Sequence, residues 1–572
     1  MSEVSICIKG TLDIKQYPIN EVTVEALEID FNVSPIEFLE SAKNEIEVPE
    51  DGVFKNLRVG EMYFIIRDEE RDDIEFIRDE EPMQEDNTFQ TEQDQYSDIE
   101  FIQTGDNMDE DVDKDIEEII EKTKNTELAP SQKKTTFENP ENIAFIQTQI
   151  AELPDIIMKI YSSDIKECLD STTKIRRMLS METNPPIQAI IESGVVSRLV
   201  EFLSLDDHPD IQFEAAWALT NVASGNSEQT RIVIESGAVP YFIKLLKSPD
   251  ANVREQSIWA LGNIAGDSSE HRDYILNFDL VENITGFFNN QQSLSLLRNA
   301  VWAISNFCRG KPKPKFERIS KFIPILAAML HSTDTEILTD SCWGLSYLTD
   351  GNNRQIQAVI DADVVPKLVN LVNSPQDTIS TPALRTLGNI VSGDDSQTQL
   401  VLENGFLNAI PQLLRKRKQI RKEACWNVSN ITAGTPAQIQ MVIDANIIPI
   451  IVEILATDEK LIRQEAAWVI CNGIAGGTSN QILYFLSCDA HLALCDVLES
   501  GFSPQVTTIC LEALVSLMKV AKSDKYQVYL SSREQVLQVA QIFLEGNEKF
   551  VDHARRLVAL CAEYDSSSSS KF

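Results

Sequence analysis

A chain of 572 residues, 43% hydrophobic, 7% aromatic and 24% charged, is several times longer than one compact core supports, which calls for several domains or an array of repeats. Its net charge of −39 excludes nucleic-acid binding through phosphates, which needs clustered Lys and Arg, and favours basic partners. Ten cysteines without a CxxC pair and five scattered histidines (His208, His271, His331, His491, His553) exclude the common metal frameworks, and no run of about 18 apolar residues is present to span a membrane.

The start, MSEVSICIKG, has neither a charged leader nor a long apolar run, so a reducing setting in cytoplasm and nucleus is expected. Up to residue 67, SICIKG, TVEALEIDF, IEFLESAKNEI and GEMYFIIR alternate strand-like and helix-like patterns, which predicts a small α+β unit over 1–67 of ubiquitin-like, β-grasp character. Residues 1–140 carry 39 acidic against 13 basic side chains. About two-thirds of the net charge therefore sits in a quarter of the chain. Residues 68–140 hold too few apolar side chains to offset the ordering entropy of a core and are expected to form a disordered acidic linker. DIEFIR (73–78), DIEFIQ (98–103) and nearby NIAFIQ (142–147) read equally well as docking peptides or as duplication without a role.

From 141 to 562 the chain repeats itself. FEAAWALTNVASG (213–225) returns as REQSIWALGNIAGD, LRNAVWAISNFCRG, LTDSCWGLSYLTDG, STPALRTLGNIVSG, RKEACWNVSNITAG and RQEAAWVICNGIAG. The lead residues, Trp217, Trp259, Trp302, Trp343, Arg385, Trp426 and Trp468, fall 41 to 43 residues apart, a period of armadillo or HEAT repeats. Between them runs a second phrase, such as VIESGAVPYFIKLL, with a Gly, Asp or Asn turn and an amphipathic helix often opened by Pro. The expected fold is all-α, an armadillo-repeat right-handed superhelical solenoid of about ten repeats. The tail, 563–572, is expected to be disordered.

Four residues after each lead come Asn221, Asn263, Asn306, Tyr347, Asn389, Asn430 and Asn472. One such pair is explained by a buried Trp whose ring N–H needs a partner. A pair repeated in register is not. Asn amides along a helical groove can bond both N–H and C=O of an extended peptide, and Trp rings can flank the stems of Lys or Arg. Glu214, Asp267, Asp340, Glu423 and Glu465, three before the lead or just past the Asn, would select the charged heads.

These residues resemble the importin-α (karyopherin-α) nuclear import adaptors over about 150–565, including Tyr347 and Arg385 at the two altered rungs. The resemblance implies a major site and a minor site for basic nuclear localisation signals. It assigns Trp217, Asn221, Trp259, Asn263, Trp302 and Asn306 to the major-site ladder, Gly225, Thr230 and Asp267 to a lysine pocket, and Gln256 and Arg309 to its flanks. To the minor site it assigns Asp340, Trp343, Tyr347, Asn389, Val391, Thr398, Glu423, Trp426, Ser429, Asn430, Glu465, Trp468 and Asn472. It also implies an export receptor acting on the last repeats. Family members carry a basic arm that binds importin-β and folds back onto the groove. Residues 1–140 offer no comparable Lys/Arg run, which makes a standard importin-β partnership doubtful and argues against self-inhibition. RKRKQIRKE (415–423) places Arg415, Lys416, Arg417, Lys418, Arg421 and Lys422 near the minor site, opposing basic ligands there, contacting the acidic linker or forming a solvated inter-helix loop.

A catenin-like scaffold for acidic ligands would need Lys and Arg along the groove, where acids and amides stand instead. Chaperoning or retention of basic proteins without importin-β is the alternative function. An enzyme is not expected, because no nucleophile–base pair, metal cluster or phosphate loop is visible, and no cofactor is implied.

Overall fold

The computed structural model describes five strands between residues 3 and 65, and then residues 151–568 except 182–183, 279, 289–291, 524–527 and 546–547. The expected linker, 68–140, lies outside the described residues, as do the duplicated DIEFIR and DIEFIQ phrases, NIAFIQ and the segment TVEALEIDF. The chain divides into two units, residues 1–99 and 100–572.

In the first unit the strands are β1 (Glu3–Ile8), β2 (Ile14–Pro18), β3 (Leu39–Ser41), β4 (Ile46–Glu47) and β5 (Met62–Ile65). They form one sheet in the order β2-β1-β5-β3-β4, with β1 and β5 parallel at its centre and the other pairs antiparallel. SICIKG and GEMYFIIR supply those two central strands.

The second unit is a stack of short helices. Its ladder helices are α1 (Ile165–Leu179), α2 (Pro209–Val222), α3 (Ala251–Asp267), α4 (Leu294–Cys308), α5 (Thr335–Thr349), α6 (Asp377–Val391), α7 (Lys418–Thr432), α8 (Lys460–Gly476) and α9 (Pro504–Ser523). Each packs on the next, so they stand side by side in one row. Small apolar residues allow that approach: Ala215, Ala218, Leu219 and Val222 of α2 are fully buried, and the core continues without a break through the repeats. Asp164, Asp250, Ser293 and Asp334 begin four of the helices by accepting hydrogen bonds from first-turn amides.

A single device turns the chain after five of the ladder helices. Asn226, Asn352, Asp394, Thr435 and Thr478 each cap the following helix, and a Gln three residues on (Gln229, Gln355, Gln397, Gln438, Gln481) bonds back to the cap amide. The residue before the cap is glycine each time. A Cβ on Gly225 would stand 2.0 Å from Gln229 Oε1, and one on Gly351 1.7 Å from Gln355 Oε1. The second turn of the repeat needs a left-handed residue, met by Gly237, Asp363, Gly405, Asn446 and Asp489. The last helix, Glu548–Ser568, runs past the expected boundary of the tail at 562, because nothing in AEYDSSS breaks a helix as Pro or Gly would.

Candidate peptide-binding groove

The seven lead residues and their partners four on lie on α2 to α8. The amides are not wholly turned to solvent. Asn263 Nδ2 donates to Thr220 O (3.4 Å), Asn306 Nδ2 to Gly262 O (3.1 Å), Asn389 Nδ2 to Ser346 O (2.8 Å) and Asn472 Nδ2 to Ser429 O (3.1 Å). In each case the acceptor is the residue just before the preceding rung. One N–H of the amide thus joins adjacent repeats, and Asn389 Nδ2 also donates to Thr349 Oγ1 at 3.2 Å; for Asn263, Asn306 and Asn472 the carbonyl oxygen and second N–H are left for another task. Asn221 instead donates to Ser180 Oγ at 2.9 Å. Asn430 Nδ2 is buried and makes no hydrogen bond.

The tryptophans differ more than their register suggests. Trp259 is the most open of them, at 38% exposure. Trp302 lies on the bare backbone of Gly262 and Trp426 on that of Gly388, where a Cβ would come within 2.3 and 2.2 Å of the ring. Trp468 is half-buried. Trp343, expected as a groove wall, is 3% exposed and stacks on Tyr347 with ring centres 6.1 Å apart. The aromatic replacement at the fourth rung covers its own lead residue.

Two of the expected acidic selectors already hold a cation of the chain. Arg176 Nε donates to Glu214 Oε2 at 2.7 Å and its guanidinium lies 4.4 Å from the Trp217 ring centre. Arg385 binds Glu423 through Nε (2.9 Å) and Nη2 and lies 5.4 Å from the Trp426 ring centre. Glu423 therefore faces Arg385 instead of an open groove. Asp340 is half-buried. Glu465 is 2% exposed, and burial first, with a smaller contribution from Glu423, pushes its carboxyl up to about 7 against the opposing pull of Lys422. Asp267 differs from all of these. Its carboxylate accepts from Ser227 Oγ at 2.8 Å and stands 2.8 Å from His271 Nδ1, with 12% of the side chain exposed.

Other expected site residues serve the scaffold. Gln256 is 4% exposed and donates to Thr220 Oγ1 at 2.8 Å, which ties α3 to α2. The Thr230 and Thr398 hydroxyls, both buried, donate to Ala223 O (3.2 Å) and Val391 O (3.1 Å) at equivalent turns, and Val391 itself is buried. Ser429 Oγ donates to Trp426 O at 2.8 Å. Gly225 makes room for the Gln229 cap. The carbonyl of Arg309 accepts from Arg272 Nη1 at 2.6 Å.

The basic cluster is largely neutralised. Lys416 and Arg417 reach Asp377 (2.9 and 3.0 Å), Lys418 reaches Glu459 (3.5 Å) and Arg421 reaches Asp458 (2.5 Å). Acids one repeat away on either side, invisible to a local count of charge, absorb four of the six. Sequence reasoning also missed Arg176, Ser227 and His271. Their signals were present as Arg-to-Glu spacings of 38 residues and a His four after Asp267.

Residues 183–224, 226–266, 318–350, 352–392 and 435–472 match the Armadillo/beta-catenin-like repeat family. Importin subunit alpha-1a of Oryza sativa subsp. japonica is 50% identical over 382 residues, 66% of this chain and 72% of that protein. Importin subunit alpha-4 of Arabidopsis thaliana is 45% identical over 391 residues, 68% of this chain and 72% of that protein. Among solved structures, a crystal structure of an engineered protein covers 72% of this chain and 98% of its own at a TM-score of 0.66 and 24% identity, a likeness of fold.

Proposed function

The chain belongs to the importin α family, and from that premise we propose that it is a nuclear import adaptor whose ladder binds extended Lys/Arg-rich localisation segments of other proteins. One observation carries this function: the chain fills two of its own rungs with arginine. Arg176 on Glu214 and Trp217, and Arg385 on Glu423 and Trp426, support the reading that a rung of this pattern accepts a guanidinium or ammonium. Asp267 offers a carboxylate and Trp259 an open ring on the same helix α3, eight residues apart, to cations from outside. The ladder amides would then hold the guest backbone, and Asn430 Nδ2, buried without an acceptor, would gain one.

Fluorescence anisotropy with a labelled PKKKRKV peptide tests the proposal. Asp267→Lys is expected to weaken binding by at least about tenfold, because a desolvated lysine loses its carboxylate and meets like charge. An affinity within about threefold of wild type would overturn it.

Chaperoning or retention of basic proteins without importin-β is the second function, favoured by the 39 acidic against 13 basic residues of 1–140. Co-purification of importin-β with the full chain separates the two.

A further inference from the structure

We propose that His271 is a positioning residue for Asp267 and makes recognition of a guest lysine there sensitive to pH; this rests on the groove function proposed above. Asp267 closes α3, and two groups hold its carboxylate. Ser227 Oγ, in the first turn of the helix Ser227–Glu235, donates to Oδ1, and His271 Nδ1 meets Oδ2, each at 2.8 Å. A carboxylate only accepts, so Nδ1 carries the proton. Each oxygen keeps lone-pair capacity beyond its protein donor, and both are fixed before a guest arrives. An ammonium entering there meets a full negative charge.

A second proton, on Nε2, changes this balance. The ring becomes a cation 2.8 Å from the carboxylate, the pair is neutral, and a guest lysine meets like charge beside its partner. The surrounding charges do not substitute for Asp267. Helix Ser227–Glu235 carries Glu228 and Arg231, which pair with each other at 3.9 Å, and Glu235 at its end. On the helix of His271, Ser269–Leu276, Glu270 is exposed, and Arg272 is directed to Asp273 and to the carbonyls of Arg309 and Pro312. Across from it, α4 ends at Cys308, whose thiol burial holds protonated, followed by Arg309.

Anisotropy of the labelled PKKKRKV peptide at about pH 8 and about pH 5.5 tests this in a Glu465→Gln background, which removes a second titrating carboxylate from the ladder. The parent is expected to weaken about fivefold or more on acidification. His271→Gln, which keeps an N–H donor that does not titrate, should hold the high-pH affinity at both values. His271→Phe, which lacks the donor, should bind more weakly at high pH and show no slope. A slope that persists in His271→Gln, or a parent without one, overturns the inference. Asp267→Asn separates the two levels. If it binds like the parent at high pH, the groove function fails; if it weakens while the His271 variants behave like the parent, only the role of His271 fails.

Discussion

Arg385 lies on the carboxylate of Glu423 as Arg176 lies on that of Glu214, each pair 38 residues apart in the chain. Both acids precede a ladder tryptophan by three residues, one helical turn, and both arginines cover that tryptophan's ring. The repeat thus closes two rungs from within, and Trp259, the most open of the ladder rings, lies between them in the row.

The Arg385–Glu423 pair is predominantly buried, with side-chain exposures of 16% and 8%. Arg385→Ala leaves the carboxylate without its partner and is expected to cost about 2–4 kcal/mol in denaturant unfolding. The double variant Arg385→Met, Glu423→Gln should recover much of that loss, with a coupling energy of about 1–3 kcal/mol in the cycle. Additive single effects would show that the pair contributes no mutual stabilisation.

Asn306 and Asn430 occupy the same rung position and should respond in opposite ways. Asn306 is 3% exposed and bonds Gly262 O across the repeat boundary, so Asn306→Ala is expected to cost about 1–2 kcal/mol of stability. Asn430 Nδ2 has no acceptor, so Asn430→Ala should change stability by less than about 0.5 kcal/mol and act on peptide affinity. Thermal melts and anisotropy on both variants measure this. Equal stability losses would mean that the two amides do the same work.

The repeat period, the helix order and the ladder register were legible because they are carried by side chains at fixed spacing. The amide contacts were not, because their acceptors are backbone carbonyls such as Thr220 O and Ser346 O, which any residue supplies. The burial of Trp343 depends on Tyr347 stacking on it, and exposure set by a neighbour's shape has no signature in a single helix pattern. The Arg-to-Glu pairs could have been found. A charge reversal at 38 residues lies close to the repeat period and recurs at Arg176 and Arg385.

Gly225 belongs to the turn before it belongs to any pocket. Its missing Cβ leaves room for Gln229 Oε1, which accepts from the Asn226 amide at 3.1 Å. Gly225→Ala should displace that side chain and cost about 1–2 kcal/mol, the worth of a helix cap. Adding Gln229→Ala should make the alanine nearly neutral relative to Gln229→Ala alone. A Gly225→Ala protein that melts with wild type would show that the cap rearranges without loss.

The burial of Glu465 sets the sign of a pH dependence expected of the fold. Its carboxyl is raised from 4.5 to about 7, chiefly by burial. A group that holds its proton more tightly when folded adds stability below its unfolded value and loses it as pH rises through the folded one. The fold is therefore expected to lose about 3 kcal/mol from this residue between about pH 4.5 and pH 7, at 1.36 kcal/mol per pH unit. Glu465→Gln should remove that slope and melt above wild type at about pH 8, while matching it near pH 5. The same chemistry couples to the ligand. A guest cation beside Glu465 favours the ionised form, so peptide binding at pH 7 should release about half a proton. Calorimetry in buffers of different ionisation enthalpy reads this directly. Equal heats in all buffers, or a melting difference between wild type and Glu465→Gln that does not change with pH, would show that Glu465 does not titrate in this range.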